Sequence, residues 1–164
     1  MPTPYSNYVG DSNPVELLTS TLEEYRDAAA LLSAASWNQP WAPHKWSLRE
    51  IMVHVAQWEM IFGYRLTCGV SQENFVIQGA DQDKLMTRTA AIDGPSAFAA
   101  FEGSRRMNLG LIQALSSADR AVTVRHPEYG VITINDLIVQ MVGHGMHHLK
   151  QIRSALGPKG EATA

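Results

Sequence analysis

The sequence predicts an all-α protein, a four-helix bundle with long inter-helix connections. The 164-residue chain contains four stretches in which apolar residues recur at steps of three and four. That spacing places the apolar residues on one face of a helix, and four such helices of about 20 residues suit a bundle. Each stretch also begins at a residue type that favours the first turn of a helix: Asn13, Ser47, Asp93 and Thr133.

The first helix is predicted to begin at Asn13, with Pro14 at the first helical position, and to end before Asn38-Gln39-Pro40, because Pro cannot continue a helix. Its inward face consists of Val15, Leu18, Leu22, Tyr25, Ala29 and Leu32. The second helix is predicted from Ser47, where Ser47 and Glu50 form a capping box. Its apolar face consists of Leu48, Ile51, Val55, Trp58 and Phe62.

The third helix is predicted to open at Asp93-Gly-Pro95, after a long connection from Cys68 to Gly94 that has room for a short helix. Its apolar face consists of Phe98, Phe101, Ile112 and Leu115, interrupted by the polar residues Arg105 and Asn108. Residues 121–133 suit either a loose hairpin or an extended loop.

The fourth helix is predicted to run from Thr133, with Asp136 in a variant capping box, to Gly157. The predicted organisation is a single bundle domain over residues 13–157. An N-terminal extension over residues 1–12 precedes it, and a C-terminal tail over residues 158–164 follows it.

The composition argues against several classes of protein. The chain has 13 basic and 16 acidic residues and a net charge of −3, which gives no cationic surface for nucleic acid. No apolar run approaches the ~20 residues of a membrane-spanning helix, and the N-terminus has no signal-peptide pattern. The single cysteine, Cys68, cannot form an internal disulfide. We therefore expect a cytoplasmic protein without a membrane or nucleic-acid partner.

The inward face of the fourth helix changes from apolar to metal-ligating residues. It consists of Ile134, Leu137, Met141, His144, His148, Gln151 and Ala155. Histidines four residues apart lie one turn above the other, so both imidazoles can bind one ion. The peptidase pattern HExxH is absent, because no Glu follows His144. Two core histidines with ordinary hydrogen-bond partners are the alternative, and the pair alone leaves both possibilities open.

His54 adds a third imidazole, at the edge of the apolar face of the second helix. Bundles build metal sites from side chains on facing helices, and three His ligands leave a tetrahedral ion one open position. Three neutral nitrogen donors suit zinc, with nickel or iron as alternatives.

Three segments together resemble the DinB-like superfamily: residues 45–59 (KWSLREIMVHVAQWE), residues 126–130 (HPEYG) and residues 144–152 (HGMHHLKQI). The resemblance implies a four-helix bundle, often a homodimer, that holds a divalent metal on His54, His144 and His148. It also implies either hydrolysis or transfer and isomerisation with a low-molecular-weight thiol such as mycothiol, bacillithiol or glutathione. One departure is Gln57, where an acidic residue is frequent in the family.

Four more residues are candidates for the pocket or for contacts to the ligands: Gln151, Arg105, Asn108 and Trp58. Arg105 could face an anionic substrate, but we expect its stem to pack and its guanidinium to reach water. His147 is expected to point away from the ion, because it lies about 100° around the helix from His148. His44 and His126 are expected to be solvated.

The sequence thus predicts a metal-dependent enzyme acting on a small molecule, either a thiol-dependent transferase or isomerase or a hydrolase. A non-catalytic metal-binding bundle associated with stress is the alternative, because an open three-His site permits catalysis without requiring it. A purely structural bundle is a third possibility. No residue identifies the general base.

Overall fold

Helices dominate the computed structural model, which describes residues 4–157. In chain order the elements are α1 (Ser6–Val9), α2 (Pro14–Ala30), a 3-10 turn (Ser36–Asn38), α3 (Leu48–Ser71), α4 (Gln82–Met86), α5 (Gly94–Ala114), α6 (Ser117–Ala121), β1 (Thr123–His126), β2 (Gly130–Thr133) and α7 (Ile134–Leu156). The long helices α2, α3, α5 and α7 form the predicted four-helix bundle. The predicted tail over residues 158–164 lies outside the described residues.

The long helices do not pack in chain order. Helix α3 packs against α5 and α7, and α2 packs against the same two helices. The consecutive helices α2 and α3 therefore lie diagonally across the bundle, and the long connection between them crosses one end. The short helix α1 packs against α7.

The predicted helix starts are confirmed by their capping hydrogen bonds. The side chain of Asn13 accepts from the Val15 amide, and that of Asp93 accepts from the Ser96 amide. Ser47 and Thr133 each form a capping box with an acidic residue three positions on. These bonds satisfy backbone N–H groups that lack a partner within the first turn.

The first helix ends before Asn38-Gln39-Pro40, as predicted, but it already stops at Ala30, so Leu32 of its predicted inward face lies beyond it. The Ser33 hydroxyl accepts from the Ser36 amide and starts a 3-10 turn instead. This turn buries Trp37 against the first residue of α5, Gly94, where a Cβ would collide with the indole ring. The chain therefore turns back to close one end of the bundle.

The connections from α3 to α5 and from α5 to α7 both have defined structure. The first contains the short helix α4 and places Phe75 and Ile77 in the core, beside β1. The backbone there pairs with Arg125, whose carbonyl accepts from Ile77 at 2.8 Å. The second connection is an antiparallel hairpin of β1 and β2, the first of the two alternatives for this segment.

A layer of polar side chains crosses the bundle between two apolar clusters. One cluster packs around Phe62, Ile112 and Met141, and the other packs around Ile51 and Phe101. The polar layer between them consists of Thr21, His54, Glu59, Arg105, Asn108, His144 and His148, all buried. Every long helix contributes at least one residue to it.

An ion pair between Glu59 and Arg105 forms the centre of this layer. Two nitrogens of the guanidinium, Nε and Nη2, each donate to a carboxylate oxygen of Glu59 at 2.8 Å. The remaining nitrogen, Nη1, donates to the Leu18 carbonyl and to the Thr21 hydroxyl on α2. Asn108 donates to Glu59 as well, at 3.0 Å. The pair therefore links α2, α3 and α5 inside the core.

In the part of the chain that the structure describes, no helix is long and apolar enough to cross a membrane.

Replacing Glu59 by Gln should destabilise the fold by about 3–5 kcal/mol, because it leaves the Arg105 cation buried without a counter-charge. Urea unfolding followed by circular dichroism measures this loss. Glu102→Gln is the matched control, because it removes a carboxylate that pairs with Arg26 and Arg106 near the surface, where ion pairs contribute little. Equal losses in the two variants would contradict a structural role for the buried pair.

Candidate metal centre

The three histidines predicted from the sequence meet at one point between α3 and α7. Their ring nitrogens offer three donor atoms that all lie within 4.8 Å of one another. Nε2 of His54 lies 3.0 Å from Nε2 of His144. The ring of His148 is centred 4.7 Å from that of His54 and 4.6 Å from that of His144. All three side chains are buried.

The hydrogen bonds of His148 direct one of its nitrogens toward this point. Its Nδ1 lies 2.8 Å from Oε1 of Gln151, which can only accept. The proton of the neutral ring is therefore on Nδ1, and Nε2 keeps its lone pair. Nε2 is buried and has no hydrogen-bond partner among the described residues. A buried acceptor without a donor is costly unless something else occupies its lone pair.

A divalent metal ion fits this donor set. Two nitrogens bound at about 2.1 Å to a tetrahedral ion are about 3.4 Å apart. The separations between the three donor atoms, from 3.0 Å upward and within 4.8 Å, bracket this value. An ion would give the unpartnered Nε2 of His148 a partner. Three nitrogen ligands would leave one position of the ion open for water or substrate.

The surroundings keep the imidazoles neutral, which is the form that binds metal. Burial, with smaller effects of His148 and His147, lowers the pKa of His54 to about 3. Burial lowers the pKa of His148 to about 4, although the hydrogen bond to Gln151 opposes this change. The pKa of His144 lies well below its ordinary value because of burial, the neighbouring imidazoles and the Arg105 cation. Near pH 7 no proton has to leave before an ion binds.

A cavity of about 280 Å³ opens beside His144. Four aromatic side chains line it beside His144: Tyr5, Trp58, Phe62 and Tyr129. Gln140, which lies one turn before His144 on α7, and Glu128 add polar groups. A larger groove of about 470 Å³ runs along the start of α5, but its lining contains no histidine. Of these two, the smaller cavity is the one that reaches the histidine cluster.

The N-terminal segment, residues 4–9, forms one wall of the site. The Tyr5 ring lies edge-on to His144, with 5.7 Å between the ring centres. The Tyr8 hydroxyl lies 2.9 Å from Nδ1 of His147. The Tyr5 backbone lies against Gly143, where a Cβ would collide with the Tyr5 carbonyl oxygen. Tyr5 itself has a φ of 74°, a left-handed conformation that is uncommon for residues other than Gly.

Two of the candidate pocket residues lie elsewhere. The expectation that the Arg105 guanidinium reaches water is wrong, because the side chain is only 1% exposed and pairs with Glu59. Asn108 binds the same carboxylate. Neither residue lines the cavity. Both side chains turn inward because they bind the buried carboxylate of Glu59, and they belong to the polar layer and not to the cavity wall.

Trp58 and Gln151 do lie at the site. Trp58 lines the cavity, with its ring centre 5.7 Å from that of His144. Gln151 bonds to His148 and also lies 3.3 Å from Nε2 of His147. His147 stands outside the cluster of donor atoms, between α7 and the N-terminal segment.

The two remaining histidines differ from each other. His44 is exposed, as expected. The expectation for His126 is wrong, because it is buried and stacks on Tyr129 with 4.3 Å between the ring centres. Its Nδ1 accepts from the backbone amides of Glu128 and Tyr129, so the ring shapes the hairpin turn.

Several residues of the site were not predicted from the sequence. Glu59 had a detectable signal, because it falls on the apolar face of α3 at the three-four spacing that joins Val55 to Phe62. Gln140 had another, four residues before His144. Tyr5 and Tyr8 had none, because the segment that contains them is too short for a periodic pattern.

The model of the DinB superfamily matches residues 17–152. The chain belongs to the DinB superfamily. The matched region includes His54, His144 and His148 and leaves the N-terminal segment outside it.

Two similar proteins carry descriptions related to metal chemistry. A relative from Oceanobacillus iheyensis, named "Putative metal-dependent hydrolase", is 30% identical over 112 residues. The match covers 66% of this chain and 64% of that protein, slightly less than two thirds of its length. A solved structure of YfiT from Bacillus subtilis is described as "a probable metal-dependent hydrolase with an unusual four-helix bundle topology". It has a TM-score of 0.77 at 18% identity and covers 85% of this chain and 81% of that chain, a likeness that shows the fold alone.

Replacing either His144 or His148, the two histidines that α7 contributes to the cluster, should abolish stoichiometric metal binding. His144→Ala and His148→Ala each leave two donors, whereas the adjacent His147→Ala leaves all three. Elemental analysis after reconstitution with zinc and gel filtration measures the metal content, and circular dichroism checks the fold. Loss of metal from His147→Ala alone would contradict this ligand set.

Proposed function

We propose that the protein is a metal-dependent hydrolase that acts on a small molecule at the three-histidine centre. The observation that carries the proposal is the unpartnered Nε2 of His148, aligned by Gln151 beside the donor atoms of His54 and His144. The descriptions of the relatives support the same class of activity. The donor set favours zinc, and nickel and iron are alternatives.

His54, His144 and His148 would hold the ion through neutral nitrogen atoms. Such an ion, when bound, acts as a Lewis acid and makes water a stronger nucleophile near neutral pH. Gln151 keeps the proton of His148 on Nδ1, so the opposite nitrogen faces the centre. Holding the ligand ring in one tautomer and orientation is the usual role of such a hydrogen bond.

The cavity next to His144 would receive the substrate. Its volume of about 280 Å³ limits the substrate to a small molecule. Aromatic side chains offer apolar contacts, and Gln140 presents an amide one turn from His144. Glu128 is the carboxylate in the cavity lining and is the candidate general base of this proposal. Glu59 is already bound to Arg105 and Asn108.

A thiol-dependent transfer reaction is the second candidate. The cysteine of the chain, Cys68, is buried within the apolar cluster around Phe62 and is absent from the cavity lining. A thiol would therefore have to enter as a separate low-molecular-weight cosubstrate, which would occupy the open side of the ion. Two further expectations stay predictions: the homodimer that the resemblance implies and the cytoplasmic location that the composition suggests.

The zinc-reconstituted protein should hydrolyse small esters, amides or lactones without added thiol. A panel of such substrates, assayed with and without bacillithiol, mycothiol or glutathione, distinguishes the candidates. Activity should disappear with a chelator and in His148→Ala, because both remove the ion.

Turnover that requires a thiol would instead support the transferase or isomerase. Stable metal binding without turnover of any substrate would support the non-catalytic alternative. His44→Ala is the control for loss of an imidazole, since His44 is exposed and lies outside the cluster.

A further inference from the structure

A chain of hydrogen bonds connects the metal centre to the N-terminal segment. Nδ1 of His148 lies 2.8 Å from Oε1 of Gln151. Nε2 of Gln151 lies 3.3 Å from Nε2 of His147. Nδ1 of His147 in turn lies 2.9 Å from the Tyr8 hydroxyl. Four side chains thus link a candidate ligand on α7 to helix α1.

The chemistry of the groups fixes which one donates and which one accepts in this series of hydrogen bonds. An amide oxygen only accepts and an amide NH₂ only donates, so Gln151 accepts from His148 and donates to His147. A neutral imidazole carries one N–H, which places the proton of His147 on Nδ1. That N–H donates to the Tyr8 hydroxyl. The tautomers of both histidines are therefore fixed together.

Packing holds Tyr8 at the end of this chain. The Tyr8 ring lies edge-on to that of His147, and Tyr5 contacts His147 from the same segment. Gly143 allows the Tyr5 backbone to lie directly against α7. These contacts come from residues before the region that the DinB superfamily model matches.

We propose that Tyr8 is a positioning residue of the metal centre, which acts through His147 and Gln151 to hold the ring of His148. The N-terminal segment then contributes to the orientation of a metal ligand in this protein. The inference rests on the proposed metal centre. It adds a group that touches neither the ion nor the cavity.

Removing the Tyr8 hydroxyl leaves the His147 N–H without its acceptor, so the His147 ring can rotate away from Gln151. Gln151 then loses one of its two fixed contacts, and the orientation of His148 becomes less restricted. Loss of a group that directly orients a ligand typically weakens metal binding about 10–100-fold. Tyr8 acts two contacts further away, so we expect an effect of about 3–10-fold.

Cobalt binding to the full chain tests this inference. The affinity for Co²⁺ is measured by competition with a chromophoric chelator in the wild type, Tyr8→Phe, Gln151→Leu and the double variant. The visible absorption of bound Co²⁺ reports the ligand geometry. Tyr8→Phe should weaken binding about 3–10-fold and alter the spectrum, and Gln151→Leu should weaken it about 10–100-fold. The double variant should equal Gln151→Leu, because Tyr8 acts through Gln151.

Tyr64→Phe is the matched control. It removes a tyrosine hydroxyl from an exposed position on α3, outside the cavity lining and the histidine cluster, so Co²⁺ affinity should not change. Gln151→Glu is the conservative variant, because a carboxylate still accepts from His148. Co²⁺ should still bind to it tightly.

A second pair of variants tests the docking of the segment without changing a polar group. Gly143→Ala pushes the Tyr5 backbone away from α7 and should weaken Co²⁺ binding at least as much as Tyr8→Phe. Gly110→Ala, on α5, adds a methyl group in open space and should leave the affinity unchanged.

An unchanged affinity and spectrum in Tyr8→Phe would overturn the inference, and so would a Tyr8→Phe effect that persists in full in the Gln151→Leu background. Either result leaves the proposed hydrolase intact, provided that the wild type binds Co²⁺. A wild type that binds no Co²⁺ would overturn the metal centre and this inference together.

Discussion

The ion pair between Glu59 and Arg105 is the contact on which the geometry of the interior depends. It joins α3 to α5, and its remaining donor reaches α2. A Cβ at Gly145 on α7 would lie 3.1 Å from the guanidinium, so the pair also limits how closely α7 can approach. Tyr25 adds a second tie, because its hydroxyl donates to the Gly145 carbonyl at 2.8 Å. These two contacts fix the position of α7 along the bundle axis. In this position His144 lies opposite His54 on α3.

The same pair shapes the electrostatics around the histidines. Buried charges are stable only when they are paired, and here every charge in the polar layer has its partner. The imidazoles contribute no further charge, since burial and the nearby guanidinium both oppose protonation of His144. The layer therefore offers the lone pairs of three neutral imidazoles, next to one cation (Arg105) and one anion (Glu59) that balance each other. That combination suits a divalent ion held by neutral nitrogen atoms.

The parts of the fold that local rules determine could be predicted from the sequence. The capping residues located the helix starts, and the inward face of α7 identified His144 and His148 as neighbours. The burial of Arg105 could not be predicted, because it depends on Glu59, which lies 46 residues earlier in the chain. The end of α2 at Ala30 depends on the docking of Trp37 against Gly94, a contact that local propensity does not reveal. Tyr5 and Tyr8 likewise acquire their roles only through packing against distant α7.

The position of the N-terminal segment also has a practical consequence for work with this protein. Pro4 and Tyr5 line the cavity, so the described part of the N-terminal segment lies beside the histidine cluster. Any three residues of chain span at most about 10 Å. A polyhistidine tag fused to Met1 would therefore place additional imidazoles within reach of the centre, where they could compete for the ion or cover the cavity. A tag that is cleaved completely avoids this interference.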